Sequence, residues 1–318
     1  MPRWPRPVCS AAPSCARNRP RWPGDPPDET AMHPLISTQA LVDRLAAPGG
    51  RPLRLFDVTT HLRPATPGPW AVESGRADYL TAHVPGAAYI DLQAELSDTT
   101  SPLRFTQPGP ARLAAAFAAA GLGAGDDCVL YSSTGPMWAT RVWWLLQSIG
   151  VHAQVLDGGL PLWRAEGRPV VSEASTYPPA TPWAPSPQPS RWADKQDMLL
   201  AIGNQRVCTL NALSAALHTG TATIHYGRPG HILGSVNLPY SALLDDQGRF
   251  LPPAQLRAAL DGVGALGAAR VLCYCGGGIA ATVDAMALTL AGHGNVAVYD
   301  GSLQEWAADP ALPMDTSA

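Results

Sequence analysis

Short β-branched apolar runs alternate along this chain with longer segments whose apolar residues recur every three or four positions. The short runs predict strands at residues 53–58, 128–131, 154–156, 207–210, 271–274 and 296–299. The periodic segments predict helices at residues 110–120, 139–149, 252–260 and 279–291. Strands that alternate with helices are typical of βαβ units, so we expect an α/β fold with mostly parallel sheets that are flanked by helices on both faces.

The pattern occurs twice. Residues 129–170 resemble residues 271–314, and a matching segment precedes each copy, HVPGAAYIDL from His83 and HILGSVNLPY from His231. Two copies in the same order predict tandem domains. We place the domains and the segments around them as follows: an extension at residues 1–32, a first domain at 33–170, a linker at 171–195 and a second domain at 196–318. The linker is dense in Pro, Ser and Ala, and the Arg- and Pro-rich extension is expected to be disordered.

Composition narrows the class of protein. Of the 318 residues, 46% are apolar and 15% are charged, which is enough to bury a large core. The net charge of -3 gives no basic field for nucleic acid, and no apolar run approaches the roughly 20 residues of a membrane-spanning helix. Six cysteines are too few for a disulfide framework. We therefore expect a cytoplasmic protein without a nucleic-acid or membrane partner.

The most informative motif is Cys-Gly-Gly-Gly, which begins directly after the strand predicted at residues 271–274. In an open parallel sheet, ligands bind beyond the carboxyl ends of the strands, which is where Cys275 falls. Gly276, Gly277 and Gly278 allow the backbone to curl so that successive N–H groups face one point before a helix begins near Ile279. Amides and a helix N-terminus stabilise a thiolate by about 0.3 to 1 kcal/mol, or up to roughly 2 kcal/mol when partly buried.

We therefore predict that Cys275 ionises easily and acts as a nucleophile. Burial of its sulfur beneath side chains would count against an enzymatic role. The other cysteines of the predicted domains are expected to be core residues: Cys128, Cys208 and Cys273.

This motif has four other interpretations. Gly276-x-Gly278-x-x-Ala281 matches a dinucleotide fingerprint, but too little chain follows it for the further βαβ units of such a domain. A cysteine phosphatase needs an arginine where Ala281 stands. Cys273-x-Cys275 lacks the spacing and the extra ligands of a zinc site, so no metal is expected. A papain-like pair of Cys275 with a histidine stays open.

Two further residue types have structural interpretations. His83 and His231 are expected to fix turns by hydrogen bonds. Asp157 and Asp300 are expected to tie the ends of their strands to the turns that follow.

Several segments together resemble the two-domain rhodanese sulfurtransferases, a family that includes thiosulfate and 3-mercaptopyruvate sulfurtransferases. The resemblance extends from about His33 to Pro313. It is carried by HVPGA at 83–87, RVWW at 141–144, LDGG at 156–159, PGHILGSVN at 229–237, CGGGIAA at 275–281 and YDGS at 299–302. It implies two tandem rhodanese-like domains, of which the second is catalytic. The first would be catalytically silent, with Ser133 at the position equivalent to Cys275.

The resemblance also implies a reaction. The Cys275 thiolate would take a sulfur atom from a small donor of the thiosulfate or 3-mercaptopyruvate class. The persulfide would then pass that sulfur to cyanide or to a thiol, including the thiol of a thioredoxin-like protein. No cofactor is required. The persulfide would lie against the backbone amides of Gly276, Gly277, Gly278, Ile279 and Ala280.

The chain departs from the family pattern around the donor. Gly277 replaces a serine that is typical of mercaptopyruvate enzymes, and Gln93 and Phe105 stand where the Asp and His partners of that serine are expected. The absent relay favours thiosulfate over 3-mercaptopyruvate, although the loop also lacks the basic side chains that usually follow the cysteine in thiosulfate enzymes.

The family's substrate-binding arginines are also replaced. They align with Leu217 and Ile224, which leaves Arg228 as the candidate cation for donor binding. Lost arginines and a lost relay are also what a retired active site would show. A non-catalytic rhodanese-like module that binds a protein partner is therefore the alternative function.

Overall fold

A computed structural model describes residues 33–47, 49–65 and 70–317. They form two parallel sheets of five strands each, and helices flank each sheet. The strands of the first half are β1 (Leu35–Ile36), β2 (Leu53–Asp57), β3 (Thr60–Pro64), β4 (Trp70–Ser74), β5 (Ala88–Tyr89), β6 (Asp127–Tyr131) and β7 (Gln154–Leu156). Its helices are α1 (Thr38–Ala46), α2 (Arg76–Thr81), α3 (Pro110–Ala119), α4 (Met137–Ser148) and α5 (Gly159–Ala165). The extension predicted at residues 1–32 lies outside the described residues.

The second half repeats this plan. Its strands are β8 (Trp192–Ala193), β9 (Val207–Asn211), β10 (His231–Ile232), β11 (Val236–Asn237), β12 (Arg270–Tyr274), β13 (Val296–Tyr299) and β14 (Met314–Asp315). Its α-helices are α6 (Lys195–Ala201), α7 (Ala215–His218), α8 (Pro253–Gly262), α9 (Ala281–Leu290) and α10 (Ser302–Trp306). Short 3-10 helices lie at Pro189–Arg191 and Tyr240–Leu243.

The two sheets have the same strand order. The first runs β1-β7-β6-β2-β5 and the second β8-β13-β12-β9-β11, and every neighbouring pair is parallel. The α/β fold with two tandem, parallel, helix-flanked sheets is therefore confirmed. Strand β8 lies in the predicted linker, directly before α6, and forms an edge of the second sheet.

The predicted strands and helices lie within two residues of the observed ones. Strands β6 and β12 are buried on both faces of their sheets, which explains why their sequences are continuous apolar runs. Helices α3 and α8 begin with proline, whose missing N–H would have no partner in the first turn. Among the described residues, no helix has the length and apolar character needed to cross a bilayer.

Helices α4 and α9 pack against each other across the contact between the two domains. At this contact the hydroxyls of Thr140 and Thr282 hydrogen-bond at 2.8 Å, and both residues are buried. The core is continuous through this contact, because apolar residues of both helices belong to one buried cluster.

Two aspartates at the ends of equivalent strands also cross the domain contact. Asp157 of the first domain accepts a hydrogen bond from the N–H of Phe250 at 2.9 Å. Asp300 of the second domain accepts one from the N–H of Gln107 at 2.8 Å. The prediction that these aspartates bind their own turns was therefore wrong. Each one holds the loop that precedes a helix of the other domain.

Arg141 of α4 makes the most extensive contacts across this boundary. Its side chain is 0% exposed, and its guanidinium donates to the carbonyl oxygens of Gly278 at 3.1 Å and Phe105 at 2.6 Å. It also pairs with the carboxylate of Asp300 at 2.7 Å and lies 4.9 Å from the ring centre of Trp192. A buried cation is tolerated when nearby groups offset its charge, and here the second domain supplies most of the partners of Nη1 and Nη2, whereas Nε has no acceptor among the described residues.

Histidine stacks fix equivalent turns in the two domains. The rings of His218 and His231 stack with centroids 3.6 Å apart, and His231 Nδ1 bonds to the His218 carbonyl at 2.8 Å. The amide of Asn211 lies 3.1 Å from His218 Nδ1. In the first domain, His83 stacks on Tyr79 and bonds to its carbonyl at 2.6 Å. The prediction that His83 and His231 fix turns is confirmed.

Replacing Arg141 with methionine should destabilise the protein by about 3 to 5 kcal/mol, because Asp300 would lose its buried partner. The free energy of unfolding from urea titrations measures this. Arg112→Met is the matched control, since Arg112 pairs with Asp98 at the surface and such pairs contribute about 0 to 1 kcal/mol. Equal effects of the two substitutions would contradict the role given to Arg141.

Stability should also depend on pH through His218. Burial, together with the charge of His231, lowers the pKa of His218 to about 4, against about 6.5 in an unfolded chain. The unfolded state therefore binds more protons between these values. We expect the free energy of unfolding to fall as the pH drops through this window, by up to about 1.4 kcal/mol per pH unit. Urea titrations at several pH values should give a shallower dependence for His218→Phe, and an unchanged slope would contradict this assignment.

Candidate active site

Cys275 lies at the carboxyl end of β12, the central strand of the second sheet. The hydroxyl of Ser302 accepts hydrogen bonds from the N–H groups of Cys275 and Gly278, each at 3.1 Å. That hydroxyl in turn donates to the carbonyl of Tyr299 at 2.7 Å. One serine side chain thus holds both ends of the loop that follows the strand.

The start of α10 fixes the same loop from its other side. The N–H of Leu303 donates to the Cys275 carbonyl at 3.0 Å, and the N–H of Gln304 donates to the Gly276 carbonyl at 2.9 Å. These bonds direct two loop carbonyls towards α10. The amides of the loop are therefore left to face elsewhere.

Most of the predicted amide donors have no partner within the protein. Among the described residues, no acceptor is found for the N–H groups of Gly276, Gly277, Ile279 and Ala280, whereas Gly278 donates to Ser302. Helix α9 begins directly after them, so the positive end of its dipole adjoins the loop. The loop therefore has free donors for a sulfur anion.

Two of the three glycines are required by their surroundings. A Cβ on Gly276 would lie 2.0 Å from Cζ of Tyr226. Gly278 has φ of +72°, and a Cβ there would lie 2.9 Å from the carbonyl oxygen of Asp300. A Cβ on Gly277 would approach only the side-chain amide of Gln304, at 3.1 Å. The middle position is thus the one where another residue fits with least disturbance.

The sulfur of Cys275 is covered, which is the outcome that was expected to count against an enzymatic role. The residue is 2% exposed, and the ring of Tyr226 lies against the adjacent Gly276. Burial raises the pKa of Tyr226, and the nearby Cys275 raises it further, while Arg104 lowers it. Burial and then Cys275 likewise raise the pKa of Tyr240. In this conformation the thiol is shielded from solvent, and we assign the ring of Tyr226, which lies on the adjacent Gly276, as its cover.

The other cysteines differ in what covers them. Cys128 and Cys273 are buried inside the sheets, and burial raises the pKa of both thiols. The carboxyl of Asp284 beside Cys273 adds to that rise. Cys208 is partly exposed, and burial raises its pKa to about 11. The prediction of core residues is confirmed for Cys128 and Cys273, whereas Cys208 lies at the edge of the core.

Ser132, and not Ser133 as predicted, is equivalent to Cys275 in the first domain. Ser132 follows the last residue of β6 as Cys275 follows the last residue of β12. Its carbonyl accepts from the N–H of Leu160 at 3.1 Å, just as the Cys275 carbonyl accepts from Leu303. Because Ser132 and Ser133 are adjacent and identical, the sequence does not show which of them is equivalent to Cys275. The strand register identifies Ser132.

The loop of the first domain uses its donors internally. The N–H of Thr134 donates to Ser132 Oγ at 3.1 Å, and the N–H of Ser133 donates to Thr59 Oγ1 at 2.9 Å. Pro136 has no N–H to offer. The first-domain loop therefore has a hydroxyl in place of the thiol, and two of its amides are already bonded.

The predicted cation, Arg228, bonds elsewhere. Its guanidinium makes four hydrogen bonds of 2.6 to 3.2 Å to the chain from the end of α10 onward, and none to the Cys275 loop. The acceptors are the carbonyl oxygens of Trp306, Ala307, Asp309 and Leu312. These bonds give Arg228 a structural role, and its contact with a substrate stays a prediction.

Two residues of the first domain that the sequence analysis missed reach this region. The main chain of Arg104 bonds through both its N–H and its carbonyl to the side-chain amide of Gln304, at 3.2 and 2.9 Å. Its guanidinium donates to the carbonyl of Trp70. The one available signal was position, because Arg104 directly precedes Phe105, where the family pattern expects a histidine of the site.

The remaining alternative for the thiol was a papain-like pair. Among the described residues, no histidine ring hydrogen-bonds to the sulfur of Cys275, and His231 is engaged with His218. The geometry therefore favours activation by main-chain donors over activation by a neighbouring base.

Comparison with known proteins agrees with this geometry. A model of the rhodanese-like domain matches residues 39–166 and 188–309. Human 3-mercaptopyruvate sulfurtransferase is 31% identical over 278 residues, which are 86% of this chain and 91% of that protein. The putative thiosulfate sulfurtransferase SseB of Mycobacterium tuberculosis is 31% identical over 287 residues, 88% of this chain and 96% of that protein. The crystal structure of Tum1 protein from Saccharomyces cerevisiae superposes with a TM-score of 0.77 at 25% identity, covering 89% of this chain and 98% of that one. The chain therefore belongs to the rhodanese family and contains two rhodanese-like domains in tandem.

Proposed function

We propose that this protein is a sulfurtransferase in which Cys275 carries the transferred sulfur as a persulfide. The observation that carries the proposal is the loop of residues 275–280, where a cysteine adjoins free backbone donors at the end of a central strand. The equivalent loop of the first domain has a serine, and hydroxyls of the same domain already accept two of its amides. The names of the two sequence relatives, both sulfurtransferases, support the same activity.

In the first step, the Cys275 thiolate attacks the transferable sulfur of the donor, which is the outer sulfane sulfur of thiosulfate or the thiol sulfur of 3-mercaptopyruvate. A new S–S bond forms while the donor's bond to that sulfur breaks, and its electron pair leaves with the remainder of the donor. Thiosulfate releases sulfite. 3-Mercaptopyruvate releases the enolate of pyruvate, which takes up the proton of the donor's thiol.

The persulfide places its negative charge on the terminal sulfur. The free N–H groups of Gly276, Gly277, Ile279 and Ala280 are the donors proposed to stabilise that charge. Ser302 keeps the loop closed and occupies the N–H of Gly278, so the set of donors is four where the sequence suggested five.

In the second step, an acceptor attacks the terminal sulfur and the Cys275 thiolate leaves. Cyanide as acceptor gives thiocyanate. A thiol as acceptor becomes a new persulfide, and thioredoxin-like proteins are among the thiol acceptors. All four cysteines in the described part of the chain are free thiols. Free thiols fit a reducing compartment, and we place the protein in the cytoplasm.

The side chains around the loop favour thiosulfate as the donor. Gly277 has no hydroxyl, Phe105 is a buried apolar residue, and Gln93 accepts the N–H of Phe105 at 3.1 Å. None of the three offers the serine relay expected for 3-mercaptopyruvate.

Replacing Cys275 with serine should abolish turnover and leave the fold intact. Wild-type protein incubated with thiosulfate or 3-mercaptopyruvate should gain about 32 Da, one sulfur atom, on Cys275 by intact mass and peptide mapping. Cys273→Ser is the matched control, because Cys273 is 0% exposed in the same strand and should retain the adduct and thiocyanate formation.

Equal losses from both substitutions would contradict the assignment of Cys275. Absence of the adduct with either donor, together with ordinary alkylation kinetics at neutral pH, would favour the non-catalytic binding module. The burial of Cys275 is the observation that keeps this second function in view.

Removing the ring of Tyr226 should open the thiol. We expect Tyr226→Ala to raise the rate at which iodoacetamide alkylates Cys275 severalfold, because the ring lies on the adjacent Gly276. Tyr226→Phe keeps the ring and should change the rate little. Peptide mass spectrometry over time measures both, and equal rates in the two variants would show that Tyr226 is not the cover.

A further inference from the structure

We propose that the first domain supplies the anion-binding part of the donor site, through the guanidinium of Arg104 and the indole N–H of Trp70. The inference rests on the proposed function and deepens it. It assigns the donor to small anions that carry a sulfonate or a carboxylate next to the transferable sulfur. The silent domain would thus take part in the reaction through its loops.

The position of Arg104 is fixed by its main chain. The side-chain amide of Gln304 bonds to the N–H and to the carbonyl of Arg104, at 3.2 and 2.9 Å. The N–H of Gln304 bonds in turn to the carbonyl of Gly276 at 2.9 Å. One residue therefore connects Arg104 to the loop that follows Cys275.

The side chain of Arg104 is placed by the hairpin of β3 and β4. Its Nη1 donates to the carbonyl of Trp70, the first residue of β4. Among the described residues, this is the one acceptor found for the guanidinium, and no carboxylate pairs with it. A guanidinium has five N–H donors in a planar fork that suits two oxygens of an anion.

Trp70 adds an unsatisfied donor. Its indole Nε1 is buried and makes no hydrogen bond of ordinary geometry within the described part of the chain, where the one acceptor close to it is the hydroxyl of Tyr226. Buried N–H groups without a partner are rare and often mark a place where a ligand or water binds. An oxyanion held by Arg104 would satisfy this N–H as well.

Tyr226 links these donors to the thiol. Its ring lies against Gly276, next to Cys275. The hydroxyl of Tyr226 responds to both ends of the site, because Cys275 raises its pKa while Arg104 and the side chain of Trp70 lower it. The phenol of Tyr226 is therefore close enough to both the cation and the nucleophile to respond to their charges.

The neighbouring arginines cannot take this role. Arg141 is occupied by the carbonyls of Gly278 and Phe105 and by Asp300. Arg228 is occupied by four carbonyls of the chain from the end of α10 onward. Of these three arginines near the second-domain loop, Arg104 alone keeps most of its donors.

The charge of the reactants requires such a cation. A thiolate that attacks thiosulfate brings a monoanion towards a dianion, and sulfite leaves as a dianion. A fixed positive charge beside the departing group offsets this repulsion throughout the step. The oxygens of the donor would face the first domain, and its sulfur would face Cys275.

The test compares Arg104→Gln with the wild-type full-length protein. We expect KM for thiosulfate and for 3-mercaptopyruvate to rise about ten- to a hundredfold, with a much smaller change in kcat, because a charged hydrogen-bonding partner is lost. KM for the methyl ester of 3-mercaptopyruvate should stay unchanged, since this donor lacks the carboxylate. Arg112→Gln removes the same charge from a surface pair with Asp98 and is the control.

Binding without chemistry separates the two proposals. Titration calorimetry of thiosulfate into Cys275→Ser should show binding that is lost in the double variant with Arg104→Gln. An unchanged KM or unchanged binding in the Arg104 variants overturns the anion site. Failure of the wild-type protein to form a persulfide overturns the sulfurtransferase function instead, and the calorimetry still decides on Arg104.

Two milder variants keep the test decisive if Arg104→Gln unfolds, which urea titration would reveal. Arg104→Lys keeps the charge and should give an intermediate KM. Trp70→Phe keeps the aromatic ring but lacks the indole N–H, and should raise KM severalfold. A normal KM in both variants would overturn the proposal.

Discussion

One buried guanidinium holds the candidate site together. Arg141 of the first domain binds the carbonyl of Gly278, where the loop after Cys275 turns, and the carbonyl of Phe105. It also neutralises Asp300 at the end of β13. Since a buried cation is stable only when nearby groups offset its charge, the loop, the strand end and the first-domain segment are held in one arrangement, while Nε of Arg141 has no acceptor in the described part of the chain. The geometry around the thiol is thus a property of the two domains together, and the second domain alone would lack it.

This dependence explains how a duplicated fold keeps a copy without its own reactive thiol. The two domains repeat the same sheet, and each lends an aspartate to the other: Asp157 holds Phe250, and Asp300 holds Gln107. In the first-domain loop, the hydroxyls of Thr59 and Ser132 already accept two of the amides. What the first domain retains is the surface that supports the second, so selection on the shared contact is enough to preserve its fold.

Sequence patterns predicted the regular elements and the thiol loop because both are local. Alternating apolar runs determine the central strands and helices, and the glycine required at 278 follows from the turn it forms, whereas Gly276 is required by its contact with the distant Tyr226. Contacts between distant segments left no such pattern. The hairpin of β3 and β4, the cross-domain role of Asp300 and the approach of Arg104 to Gln304 depend on how the two halves pack. The role expected of Arg228 rested on nearness in sequence alone, and packing directs its guanidinium to the chain after α10 instead.

Cys275 and Cys273 are two residues apart, both are buried, and yet their covers differ in kind. Cys273 lies between the sheet and its helices, so exposing it would require the core to open. The cover of Cys275 is the ring of Tyr226, which belongs to the segment between α7 and β10 and is itself partly exposed. A surface segment can move at a small fraction of the free energy of global unfolding. While Tyr226 covers the site, the free loop amides donate hydrogen bonds to an anionic sulfur of Cys275 in place of water. The same amides are already in place when the cover opens. Burial therefore excludes Cys273 from chemistry, whereas for Cys275 it is compatible with a thiol that is shielded between turnovers.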